Sequence, residues 1–498
     1  MRRDSANRGI SVEEKPATQV PWIALAALTT LAAVLRIIGL NSGLWLDEIL
    51  TLLQTVRRPI WMILTAFPSE TQHPLFTVLA RISVVTFGEH PWSLRLPAML
   101  FGVAAVPALY FFARELTSQR EALLGAGLMA VSYHGVWFSQ DARGYTGLLF
   151  FAILCSVFLL RGLRKPSWSN WLRYAITAAL GAYTHLTMVF VVASHAAICL
   201  WLLLFQPKRG DFKVSDWKKP GAGVALAGLF TLLLYSPILL QVHQVFSKRS
   251  HMGEVSTPAW AFWEALRGLR IGFGAGAGVV VVGIFFAVGL WSYWRQSGVA
   301  AAVFILSGFF TAAGSVLARG TMYPRLYFYL LGFGILILVR GAMRLGAMAA
   351  DGLSGKADGE QRTRKELAWG TALTAVILVL SAASLLRNYQ YPKQDFGGAM
   401  QFVEQQRGAN EPVVTAGSIG DVYREYYGQP WTQVQTPADL DVVRKQGHDV
   451  WLLYMFPMYL DSSAPALMSE IRRDCPTMKV FKGTLGGGDV FVCKVQPD

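Results

Sequence analysis

Runs of about 20 apolar residues separated by short polar stretches recur along most of the chain, each about 30 Å long as a helix and so able to cross a bilayer. The pattern predicts about eleven spans: Val20 to Leu40, Leu94 to Ala113, Ala122 to Phe138, Tyr145 to Arg161, Trp171 to His185, Leu186 to Phe205, Gly221 to Leu240, Phe273 to Trp294, Val299 to Leu317, Leu326 to Met343 and Trp369 to Leu386. A further apolar segment, His73 to Phe87, is too short to span and reads as a helix lying on the membrane surface. After Leu386 the period changes. Helical patterns at Phe396 to Arg407, Asp421 to Tyr427 and Ala464 to Arg473 alternate with strand-like EPVVTAG, DVWLLYM, KVFKGTL and DVFVCKV. GTLGGGDV lies between two of these strands and reads as a hairpin turn rather than a phosphate loop. The expected fold is thus a polytopic α-helical membrane protein with a small carboxyl-terminal soluble α/β domain.

Composition agrees: the 498 residues are 53% hydrophobic and only 15% charged, with a mean hydropathy of +0.38. A net charge of +14 in a soluble chain would suggest a nucleic-acid partner. Here the basic residues cluster between apolar runs, so they read as orientation signals, and no nucleic-acid partner is expected. Arg114 and Arg120, then Arg161 to Lys165, Lys208 to Lys219, and Arg340 to Lys365 all fall on the side of the amino terminus. With the tail, that side carries roughly twice the Lys and Arg of the other, which makes it cytoplasmic. The division that follows is a cytoplasmic tail (1–19), a membrane domain (20–387) and an extracytoplasmic α/β domain (388–498). Outer segments within the membrane domain are the first loop (41–93), a second turn (139–145) and a loop at 241–272, with a cytoplasmic linker at 344–368. Cys475 and Cys493 fall in the terminal domain, where an oxidising compartment permits a bridge. Cys155 and Cys199 lie inside apolar runs and read as small core residues.

Two adjacent carboxylates, Asp47 and Glu48 in LWLDEILT, stand just past the first span. A charge at mid-membrane costs about 3 kcal/mol on insertion scales, so acids at the bilayer surface call for a reason. On one helix the two differ by about 100° in direction, so one suits a general base and the other an orienting group. The second outer turn, SQDARGY, brings Asp141 and Arg143 close to the bilayer surface beside that loop. Arg95 in SLRLP and Arg325 in MYPRLYFY open spans on the side where positive charge is not favoured. With Arg143 they make a candidate cationic patch for a lipid phosphate. His73 and His185 are further candidate ligands, and Arg36, inside the first span, is expected to snorkel.

Taken in order, LWLDEILT, QHPLFTVL, SLRLPAMLFG, SQDARGY and YPRLYFY resemble the C-type glycosyltransferases, most nearly the protein O-mannosyltransferases and lipid A aminoarabinose transferases. The likeness runs over Trp22 to Leu240 and, loosely, Arg325 to Leu338. It implies a membrane enzyme that takes a sugar from a polyprenyl-phosphate donor and gives it to a lipid, glycan or protein acceptor on the outer face. It implies Asp47 as the base with Glu48 beside it, and Arg95 and Arg143 near the acid pair and the donor phosphate. His-Pro-Leu stands where a second Pro usually follows. Related oligosaccharyl enzymes hold a divalent ion between acids of the two loops, a part open to Asp141; no metal or other cofactor is expected here. The rival class is a flippase or binding protein for lipid-linked sugars, whose charges would bind a passing head group.

Overall fold

A computed structural model of the chain describes residues 19–497 except 70, 206–211, 215, 248–257, 274–275, 318–322 and 354–358. The expected cytoplasmic tail lies outside the described residues except for its last position, as do parts of the 241–272 loop and of the 344–368 linker.

Each of the eleven apolar stretches falls on a helix. Among the described residues seven helices are long and apolar enough to cross a membrane, or nine if each of two bent pairs counts as one span. Trp22–Ile37 and Trp168–Thr184, at 16 and 17 residues, make up the difference from eleven. The chain is an integral membrane protein. Helix Pro91–Arg114 shows how the sequence writes these elements. Pro91 opens it, Ser93 closes a capping box with His90, and Arg114 sits in the last turn. Its internal Pro97 and Pro107 are tolerated because neighbouring helices pack around it. It forms one core with Tyr145–Arg164 and Leu331–Leu353 through residues such as Leu109, Phe112, Leu148, Ile153, Phe333 and Leu336.

The stretch Ala122 to Phe138 is not one straight helix. Gln119–Val131 and Tyr133–Ser139 meet at a bend of 54°. Ser132 restarts the chain by accepting the Gly135 N–H, and Arg36 donates to the freed carbonyls of Met129 and Ala130 as well as to Ser139 Oγ. Arg36 therefore does not snorkel: it is fully buried and closes a helix break. The segment Pro74–Phe87 is a helix, packed on Pro91–Arg114 through Phe76, Ala80 and Val84.

The carboxyl-terminal domain holds a five-stranded sheet in the order β2-β1-β3-β5-β4. Its strands are β1 (Val413–Ala416), β2 (Thr432–Val434), β3 (Val450–Met455), β4 (Thr477–Phe481) and β5 (Val490–Val495). β1 runs parallel to β2 and β3, and β5 antiparallel to β3 and β4, so GTLGGGDV is the expected hairpin. Central β3 is buried on both faces, and its residues alternate. Leu452 and Tyr454 pack with Leu467 and Ile471 of the helix Pro465–Asp474. Trp451, Leu453 and Met455 share a core with Leu44, Trp45 and Ile49 of the first loop. One face of the sheet thus rests on the loop that carries the acid pair. Cys475 and Cys493 are bridged, with Cα atoms 5.4 Å apart, while Cys155 and Cys199 are free and buried.

Candidate active site

Asp47 and Glu48 lie on the short helix Leu46–Thr51 and point apart, as a 100° step requires. Glu48 turns inward. Its carboxylate accepts two hydrogen bonds from Arg95, at 2.7 and 2.6 Å, one from the Ala142 N–H at 2.7 Å and one from the Trp45 N–H at 3.2 Å. Arg95 spends its remaining donors on the carbonyls of Leu40, Ser42 and Gly43. Both side chains are 0% exposed. Burial alone would raise the Glu48 carboxyl, but the Arg95 and Lys393 cations and these hydrogen bonds hold it below its ordinary value. One sequence expectation changes here: Arg95 is no phosphate ligand, because every N–H is used inside the protein. Glu48, its oxygens saturated, is placed to orient rather than to take a proton. Together they fasten the first loop to helix Pro91–Arg114 and, through Ala142, to the second turn.

Asp47 faces the other way and is 18% exposed. Its Oδ2 lies 3.3 Å from Arg325 Nη1 and 4.0 Å from Arg143 Nη1. Arg143, 3% exposed, also donates to Thr51 Oγ1 at 3.3 Å, and its Nε is buried without a partner. Arg325 lies over the Tyr323 ring, 4.5 Å from the centroid. One carboxylate between two guanidiniums thus joins the first loop, the second turn and the start of the span at Pro324, three segments far apart in sequence.

Behind this pair Asp141 is buried, its Oδ1 accepting from Trp45 Nε1 at 2.8 Å and its Oδ2 unpartnered. Burial pushes the Asp141 carboxyl up to about 6, although the nearby Lys393 ammonium opposes the shift. Lys393 was not among the sequence candidates. It is buried, donates to the Gln140 carbonyl and lies 4.6 Å from the centre of the Trp137 ring. Burial draws it down to about 8 against the pull of Glu48 and Asp141. The available signal was a lysine just past the last span on the side with fewer basic residues, the same oddity that marks Arg325.

His73 and His185 meet, with ring centroids 4.8 Å apart, and each lies about as close to Tyr145, at 5.4 and 5.5 Å. His73 Nδ1 is 3.2 Å from the Thr184 carbonyl, which assigns the proton to Nδ1 and leaves Nε2 as a buried acceptor without a partner. Burial, then the charge of Arg143, keeps this imidazole well below its usual pKa, so it is neutral. Gly144 permits the approach, since a Cβ there would stand 2.8 Å from Thr184 O and 3.1 Å from the His73 side chain.

The donor set does not suit a divalent ion. Glu48 is consumed by Arg95, Asp141 has Oδ1 taken by Trp45 and offers only a buried Oδ2, and Asp47 is flanked by two guanidiniums. Among the described residues no three His, Cys, Asp or Glu side chains converge as a metal site.

The sequence model of the dolichyl-phosphate-mannose-protein mannosyltransferase family matches residues 71–240. No curated protein matches the sequence. Among solved structures the chain is similar to ArnT from Cupriavidus metallidurans in the apo state, with a TM-score of 0.56 at 11% identity over 95% of this chain and 97% of that one. It is also similar to the same protein bound to undecaprenyl phosphate, with a TM-score of 0.54 at 12% identity over the same shares. The resemblance read from the motifs is therefore met by a family match over its central part and by a shared fold over nearly the whole length.

Proposed function

We propose that this protein transfers a monosaccharide from a polyprenyl-phosphate donor to a hydroxyl of a lipid, glycan or protein acceptor on the extracytoplasmic side, with inversion at the anomeric carbon. The observation that carries the reading is the Asp47 carboxylate set between Arg143 and Arg325 at the meeting of three separate segments. The family match supports it, as does the likeness to a structure that binds undecaprenyl phosphate. In this scheme the donor phosphate draws the two guanidiniums, which releases Asp47 to face the acceptor. Asp47 takes the acceptor proton, the acceptor oxygen bonds to the anomeric carbon, and the bond from that carbon to the phosphate oxygen breaks. Arg143 and Arg325 stabilise the charge that grows on the departing phosphate, so the step runs without a metal. The amino terminus is cytoplasmic and the α/β domain outside, a reading that the bridged Cys475–Cys493 pair supports.

Arg143→Lys tests the phosphate role. A bidentate guanidinium site rejects an ammonium because Lys lacks the planar fork, so transfer should fall about 10-fold or more, with weaker binding of undecaprenyl phosphate. A Lys variant with full transfer and wild-type lipid binding would reduce Arg143 to an anchor of its helix.

The pH profile gives a second test. Asp141, raised to about 6, and Lys393, lowered to about 8, are both ionised only between these values, where they and the Glu48–Arg95 pair form a neutral cluster. Transfer should be greatest in that window, falling below it as Asp141 gains a proton and above it as Lys393 loses one. Stability carries the opposite signs. A raised carboxyl contributes stability that is lost as pH rises through about 6, and a lowered ammonium contributes stability that is lost as pH falls through about 8. Both contributions are therefore smallest where activity peaks. Transfer that stayed level from pH 5 to pH 9 would remove the cluster from the mechanism.

A further inference from the structure

The strap between the last membrane helix, Glu360–Gln390, and the first helix of the α/β domain, Phe396–Gln406, threads through the candidate site. Gln394, buried, accepts the Leu46 N–H at 2.9 Å with its side-chain oxygen, and its amide lies 3.4 Å from Met455 Sδ at the end of β3. Leu46 opens the helix that carries Asp47 at its next position. A first-turn N–H has no partner inside its own helix. Gln394 supplies what that helix lacks, and it is anchored in turn to the sheet.

The neighbouring contacts fix the strap itself. Thr484 N–H donates to the Pro392 carbonyl at 2.9 Å and Leu485 N–H to the Lys393 carbonyl at 3.2 Å, both from the β4–β5 hairpin. Trp137 Nε1 donates to Thr484 Oγ1 at 2.9 Å, and Lys393 Nζ donates to the Gln140 carbonyl next to Asp141. Gly483 lets the hairpin lie this close, since a Cβ there would stand 2.1 Å from the Lys393 carbonyl oxygen.

We propose that the α/β domain is a working part of the active site, with Gln394 as a positioning residue that sets the Asp47 helix through the strap, which the hairpin and Lys393 hold in place. This rests on the function proposed above. A base misplaced by about 1 Å can cost on the order of 100-fold in rate, so a clamp on its helix acts on turnover while the phosphate ligands Arg143 and Arg325 stay in place.

The test uses the full-length chain, returned to cells lacking the gene. The product sugar is measured by mass spectrometry per inserted protein molecule, and binding of undecaprenyl phosphate is measured on the purified protein. Gln394→Ala should lower product about 10-fold or more while the lipid binds with near wild-type affinity. Gly483→Ala, which displaces the strap from within the hairpin, should give the same split. Wild-type product in both Gln394→Ala and Gly483→Ala, or parallel loss of product and lipid binding, would overturn the proposal. Failure of the wild-type protein to bind the lipid or make product would instead bring down the functional reading, and this one with it.

Discussion

Asp47→Asn is expected to lower sugar transfer by about 10²–10⁴-fold, the range that a positioned general base contributes, with expression and membrane insertion unchanged. The substitution keeps volume and removes only the charge and the ability to take a proton. It also frees Arg143 and Arg325, which face the Asp47 carboxylate at 4.0 and 3.3 Å, so undecaprenyl phosphate should bind at least as tightly as to the wild type. Loss of turnover with lipid binding retained separates a base from a structural acid. Transfer near wild type in Asp47→Asn would place the base on another group, and Glu48 is not available because its oxygens are saturated.

The second large effect falls on stability. Arg95→Met removes the guanidinium that pairs with Glu48 at 0% exposure, a loss that typically costs about 3–5 kcal/mol. It also frees the Leu40, Ser42 and Gly43 carbonyls that Arg95 gathers. The variant should unfold far below the wild type in a thermal melt of the purified protein, or fail to accumulate. Arg143→Lys should melt close to the wild type, because Arg143 keeps a partly exposed partner and carries less of the loop. An Arg95→Met protein of normal stability that had lost affinity for undecaprenyl phosphate would return Arg95 to the phosphate site.

The helical frame was legible because its signal is long and one-dimensional: every apolar stretch named from hydropathy falls on a helix. Where a helix breaks was not. Ser132 reads as one polar residue in an apolar run, and only the folded chain shows Arg36 arriving to take the freed carbonyls. In the terminal domain four strands follow from short apolar or alternating runs bounded by turn residues, whereas β2 at Thr432–Val434 is too short to register. The helix Pro437–Arg444 has only two turns of apolar pattern, and its clearest sequence mark is the capping box of Thr436 and Asp439.

The site divides along the same line. That Asp47, Asp141, Arg143 and Arg325 belong together follows from their placement at span ends on one predicted side. Which arginine binds phosphate depends on who else claims its donors. Sequence cannot show that Glu48 claims Arg95, whereas Arg325 remains half-buried at the cleft. Lys393 and Gln394 read as an ordinary link after the last span, and their role appears only when the hairpin folds back onto them.

The most direct measurement is a mass-spectrometric comparison of envelope glycolipids and glycoproteins from wild-type cells, cells lacking the gene, and cells carrying Asp47→Asn. The account predicts that one monosaccharide disappears from one acceptor in the deletion and equally in Asp47→Asn, while its polyprenyl-linked form accumulates. An envelope that keeps every sugar in both strains, with only the distribution of lipid-linked sugar across the membrane altered, would contradict transfer and assign the site to a flippase.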